Sequence, residues 1–257
     1  MAVLVQCSPA APLSGLVTGY YGFSEATAGP TRRREGPGGD VVVIISFGED
    51  WLIDGERLTS FAAGLHVRQV TTEHGGRSFG MQISLTPPAA HKLFGLPMHL
   101  LAHRQVPLGE VLADASLVDR LHDAGGWPER FKLLDVMLMK RFTEAPPPPD
   151  GVCWAWRRLV ETDGRIPVGE LAKELGWSRK RIVARFREQV GLPPKALGRV
   201  LRFERARALA ERTQHPDWTR IAIECGYCDQ SHLINEFRAI TGRTPATFLQ
   251  DAVASPA

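Results

Sequence analysis

Cysteine is scarce in this chain. Its 257 residues include four, Cys7, Cys153, Cys225 and Cys228, unevenly spread. That excludes a disulfide framework and fits a reducing cytoplasm. Long apolar runs are missing too: no uninterrupted stretch reaches the roughly 18–20 residues a membrane helix needs. The N-terminal MAVLVQCSPAAPLSGL has no basic leader and only a short apolar run, so it does not read as a signal peptide. A soluble cytoplasmic protein with no membrane partner is expected. No phosphate-binding glycine loop is present, and no Ser/His/Asp or Cys/His arrangement stands out, so the chain does not read as an enzyme. A DNA-repair enzyme would need a reactive cysteine beside a zinc-binding cysteine set near the N-terminus, and Cys7 stands alone there.

Metal-ligand spacing is equally thin. Cys225-Gly-Tyr-Cys228 is a single CxxC with no second pair. Helical periodicity puts Cys225 on a packed face and Cys228 in a turn, so no metal or cofactor is expected. His66 and His74 lie in a β-rich stretch without a supporting carboxylate motif, and exposed or hydrogen-bonded roles suit them better.

What is present is ordinary globular composition, with 44% hydrophobic and 23% charged residues, enough for a packed core. The net charge of +3 hides an asymmetry. Residues 1–150 hold 13 Lys+Arg against 16 Asp+Glu, whereas residues 151–250 hold 18 against 11. The second half is therefore the part expected to meet a polyanion, and charge alone leaves DNA, RNA and a membrane surface open.

Residues 13–86 are rich in Gly, Val, Ile and Thr. Val41–Phe47 and Phe79–Leu85 read as strands, and Trp51–Arg57 as a hairpin turning at Asp54-Gly55. Gly29–Gly39 reads as a loop carrying Arg32-Arg33-Arg34. Several short strands between turns suggest a small β-sandwich or barrel. From Pro87 the spacing turns helical, most clearly over Arg130–Phe142. Pro146–Pro149 is an unbroken proline run, neither helix nor central strand, and marks a boundary. Helices are expected over 154–162, 168–175, 179–190, 194–212, 218–225, 230–241 and 245–251.

Two of these pairs echo one another. In Glu170–Arg187, Leu171 and Ala172 face a partner helix, Gly176 leaves the helix, Trp177 packs beneath the turn, and Ser178 caps the next helix, held by Ile182 and Phe186. In Thr219–Phe237 the corresponding residues are Ile221, Ala222, Gly226, Tyr227, Asp229, Leu233 and Phe237. Seven matches at one register point to two helix-turn-helix units, and one such pattern alone would be a weak signal. The second helix of the first unit carries Arg179, Lys180, Arg181, Val183, Ala184, Arg185 and Arg187 outward, a cation density suited to phosphates.

Residues 153–250 resemble the DNA-binding domain of the AraC/XylS family of transcription regulators. The resemblance is carried by Ser178 with Phe186 and Gly191, by Arg202–Leu209, and above all by Ile221–Arg238 with Gly242-Arg-Thr-Pro245. It implies two helix-turn-helix subdomains bridged by a rigid helix, their second helices entering major-groove segments roughly 34 Å apart. By position it implies base-facing roles for Lys180, Val183 and Ala184 in the first recognition helix and Gln230, Ser231 and Asn235 in the second. Arg179, Arg181 and His232 would lie near phosphates or the groove edge. Val183 and Ala184 stand where long polar side chains are frequent, and Asn235 where Arg is frequent.

The resulting expectation is an α+β protein. Residues 1–86 form a β-rich, cupin-like sensor barrel or sandwich, 87–145 its helical part, 146–150 a proline-rich linker, and 151–250 an all-α DNA-binding domain. The partners expected are double-stranded DNA, a small-molecule effector, a second copy of the chain and, for an activator, RNA polymerase. The alternative is a cupin-like ligand-binding protein whose helical tail mediates protein contacts.

Overall fold

The computed structural model describes residues 2–114, 116–146 and 150–254. The expected strand-then-helix order is observed. Ten strands come first: β1 (Ala2–Cys7), β2 (Val17–Ala26), β3 (Thr31–Glu35), β4 (Val41–Ser46), β5 (Trp51–Ile53), β6 (Glu56–Leu58), β7 (Phe61–Ala63), β8 (Val70–His74), β9 (Arg77–Leu85) and β10 (Gln105–Pro107). Among them and after them come α1 (Pro87–Phe94), α2 (Leu108–Val111), α3 (Leu117–Asp123) and α4 (Trp127–Glu144). The remainder is helical: α5 (Asp150–Glu161), α6 (Val168–Glu174), α7 (Arg179–Val190), α8 (Pro194–Ala210), α9 (Trp218–Glu224), α10 (Gln230–Thr241) and α11 (Pro245–Ala254).

The strands make two sheets, one ordered β1-β2-β9-β4-β7-β10 and the other β3-β8-β5-β6. Strand alternation sorts the side chains of the larger sheet. Val41, Val43 and Ile45 of β4 are buried together with Tyr20 in the main core. Tyr20 stacks on Phe131 of α4 at 6.0 Å and its hydroxyl meets Asp135 at 3.0 Å. The alternate residues Val42, Ile44, Tyr21 and Phe23 line a cavity shared with the smaller sheet. Phe23 meets Trp51 edge-on across the gap at 5.9 Å.

The hairpin at residue 54 forms as expected, with Ile53 opposite Glu56. Asp54 and Gly55 both take positive φ, 47° and 94°, which is the primed turn matching strand twist. The loop expected over 29–39 contains a strand instead. Its arginine triplet lies in β3, paired with β8, where Arg33 bonds Glu25 at 2.6 Å and Arg32 bonds Glu73 at 3.1 Å. A carboxylate on the paired strand, Glu73, and one on β2 of the facing sheet, Glu25, make basic side chains compatible with this sheet edge. Of the proline run at 146–149, residues 147–149 lie outside the described residues. Among the described residues, no helix is long and apolar enough to cross a membrane.

The apolar interior runs as two large clusters and a third, small one of Ile53, Leu58, Phe61 and Val70 among the strands. The first joins the sheet, α1, α4, α5 and the first helix pair, reaching Ile182, Phe186 and Val190 of α7 and Leu197 and Val200 of α8. The second begins at Phe203 of α8 and contains the second pair. The N-terminal half meets both. A Cβ at Gly191, which follows α7, would lie 3.0 Å from the Met98 carbonyl, and the Gln69 N–H donates to the Ile240 carbonyl of α10 at 3.0 Å.

Candidate nucleic-acid interface

Helices α6 and α7 form one helix-turn-helix, α9 and α10 the other. Their turns repeat bond for bond. The Gly176 N–H donates to the Lys173 carbonyl and the Gly226 N–H to Ile223, each at 3.1 Å. The Trp177 N–H donates to Ala172 and the Tyr227 N–H to Ala222, each at 2.9 Å. Both glycines take positive φ, 63° and 78°, a conformation glycine adopts without the steric cost other residues incur. Each second helix is capped by a side-chain oxygen: Ser178 accepts from the Arg181 N–H at 3.1 Å, Asp229 from the His232 N–H at 2.7 Å.

The seven matches do not share a single register, which corrects the expectation. Trp177 is followed at once by its cap Ser178, whereas Cys228 intervenes between Tyr227 and Asp229. The spacer is accommodated because the backbone N–H of Cys228 donates to Nδ1 of His232 at 3.4 Å. Cys225 is fully buried and burial pushes its thiol up to about 11, while Cys228 is exposed. His66 bonds the Gln105 amide at 3.0 Å, and His74 bonds Glu25 at 3.1 Å.

On α7, Ile182, Phe186 and Val190 point inward and are fully buried. Arg179, Lys180, Arg181, Ala184 and Arg185 are exposed and Val183 is half-buried. Arg181 lies over the Trp177 ring at 4.6 Å, and Arg185 pairs with Glu188 at 2.9 Å. On α10, Gln230, Ser231 and Asn235 are exposed and His232 half-buried against the Tyr227 ring at 5.3 Å. The Thr219 hydroxyl donates to Gln230 Oε1 at 3.1 Å, which holds that amide at the start of the helix. Each second helix thus offers a polar face beginning at a capped N-terminus, where free backbone N–H groups and the helix dipole favour anions.

Sequence reasoning missed the residues that fix the two units to one another. Arg199 and Arg202 of α8 reach Glu236 of α10 at 2.7 and 3.5 Å, and Arg205 reaches Glu224 of α9 at 3.1 Å. Arg202 also donates to the Gly164 carbonyl beside the first unit at 2.9 Å. There α8 approaches closely, because a Cβ on Gly198 would lie 2.9 Å from the Gly164 carbonyl. These contacts cross long sequence separations, so local periodicity carries no signal of them.

Against known proteins, residues 171–251 match the family described as helix-turn-helix domain. No curated protein matches the chain. Among solved structures it is similar to the DNA-binding domain of AdpA, a global transcriptional factor in complex with a target DNA, at 24% identity over 41% of this chain and 96% of that one, TM-score 0.38. A DNA-binding transcriptional dual regulator from Escherichia coli K-12 is similar at 22% identity over 43% of this chain and 98% of that one, TM-score 0.36. ToxT from Vibrio cholerae O395 is similar at 13% identity over 97% of this chain and 96% of that one, TM-score 0.46.

Proposed function

We propose, from the helix-turn-helix domain at residues 171–251, that this chain is a sequence-specific DNA-binding transcription regulator and not an enzyme. Residues 151–250 read DNA, 146–150 connect, and 1–145 sense an effector or pair with a second copy. The observation that carries the reading is the repeated turn, with one capped, outward-facing polar helix per unit. Lys180, Val183 and Ala184 read bases from the first helix and Gln230, Ser231 and Asn235 from the second, while Arg179, Arg181, Arg185 and His232 hold phosphates. Val183 and Ala184 suit thymine methyls, and Gln230 and Asn235 suit adenine N6 and N7. An activator of this kind also contacts RNA polymerase.

A gel shift with DNA from upstream of its own gene, run at two salt concentrations, tests the proposal. Retardation should weaken steeply with salt, since neutralising about 6–10 phosphates costs roughly 10³–10⁵ in affinity between 50 and 200 mM. Absence of any shift at low salt would overturn it and favour a helical tail that binds protein.

A further inference from the structure

The cavity between the sheets, about 850 Å³, is not closed by strands alone. One wall is α8, the helix that joins the two DNA-reading units. Glu204 and Arg207 of α8 line it together with Glu35 and the loop Gly36–Asp40. Loop and helix fit closely: a Cβ built on Gly39 would lie 3.1 Å from Leu201 and 3.4 Å from the Glu204 carboxylate. A molecule in the cavity therefore touches the sensor sheet and the DNA-binding half at once.

Charge at that wall is unbalanced. Glu25, Glu35, Asp40 and Glu204 line the cavity against Arg33 and Arg207. Both arginines are engaged, Arg33 with Glu25 at 2.6 Å and Arg207 with Glu211 at 3.2 Å. Among the described residues no ion pair reaches Asp40 or Glu204. Asp40 accepts from the Thr18 hydroxyl at 2.6 Å, and Glu204 accepts from the Gly39 backbone. Burial, then the neighbouring Asp40, pushes the Glu204 carboxyl up to about 7, against Arg207 and the Gly39 N–H. Burial raises Asp40 as well, against its Thr18 bond. His66 adds no positive charge at neutral pH, because burial and then His103 lower it to about 4. Two desolvated carboxylates side by side are costly without a cation. The rest of the cavity presents Val42, Ile44, Ile53 and the rings of Phe61 and Trp51, surfaces that take an apolar body and attract a cation to an aromatic face.

We propose that this cavity binds an amphipathic organic cation, an amine or amidine on an apolar body, with its charged group between Asp40 and Glu204 and its apolar part between the sheets. Occupancy then acts directly on α8. The regulatory consequence rests on the DNA-binding reading, whereas the binding event does not. The ammonium group needs ionised carboxylates, so affinity falls as pH drops through about 7.

The test is calorimetric titration of the full chain at pH 8 with octylammonium, octanoate and 1-octanol. Octylammonium should bind at least about tenfold tighter than either, and Glu204→Gln or Asp40→Asn should each remove about that factor, the low end of what a hydrogen bond to a charged group contributes. Binding of octylammonium should also weaken at pH 6. Octanoate binding as tightly as octylammonium, both variants keeping full affinity, or no binding of any probe would overturn the proposal. Gel shifts on the same preparation separate the two readings. A chain that retards DNA but ignores octylammonium sinks this inference alone, and the reverse result sinks the regulator alone.

Discussion

At Gly226 the backbone has φ of 78°, and a Cβ there would lie 2.8 Å from Arg165 Cγ. Gly226→Val should therefore destabilise the second unit by about 1–3 kcal/mol, read as a lowered thermal midpoint. Unchanged stability would mean the turn is placed wrongly. Gln230 makes a sharper functional case, because its amide is held by Thr219 and its side chain is exposed. Gln230→Ala should cost about 1–3 kcal/mol on the preferred site and relax specificity there. Equal loss on cognate and random DNA would make Gln230 a phosphate contact. These residues were legible in the sequence because turn glycines, caps and i, i+4 apolar pairs act over a few residues. The extra Cys228 escaped the one-register reading because a single insertion leaves every local rule satisfied.

Among the elements, α8 was expected as a bridge, but not which of its arginines act. Glu236 is only 12% exposed and receives two of them, and Arg202 is 17% exposed. Glu236→Ala leaves those cations without their carboxylate and should cost about 1–3 kcal/mol. Binding to a bipartite site should fall more than binding to either half-site. Equal losses would remove the bridging role. Strand β3 was misread because three arginines and flanking glycines mimic a loop, and only the assembled sheets reveal the carboxylates that hold them: Glu73 of the paired β8 for Arg32, and Glu25 of β2 in the facing sheet for Arg33. The short α2 and β10 have too few residues to show a period.

For the whole molecule, acidity and unfolding give two further expectations. Folded Glu204 keeps its proton to about pH 7, whereas the ordinary value is 4.5. Between those values the unfolded chain binds fewer protons, so stability falls as pH rises. Glu204→Gln removes that loss and should raise the melting temperature at pH 8 but not at pH 4. An equal change at both pH values would deny the buried charge. The two large apolar clusters predict unequal unfolding, since the first unit shares its core with the sheets and the second does not. Amides of α9 and α10 should exchange with solvent faster than those of α7, as expected of a smaller cooperative block. Hydrogen-exchange mass spectrometry reads this directly, and uniform protection would refute it.

The glycines that follow the two recognition helices show how differently the twin units are mounted. Beyond α7, Gly191 abuts the Met98 carbonyl, whereas a Cβ at Gly242, beyond α10, would meet nothing within 4 Å. The first unit thus shares the core of the strand-bearing half, whereas the second is held by α8, the Gln69–Ile240 backbone bond and the Arg165 side chain. Transplanting the second into a cousin protein would disturb few buried side chains, whereas grafting the first would require recutting the surface beneath it. Substitutions around Gly242 should accordingly be absorbed locally, whereas any side chain at Gly191 must displace the backbone at Met98.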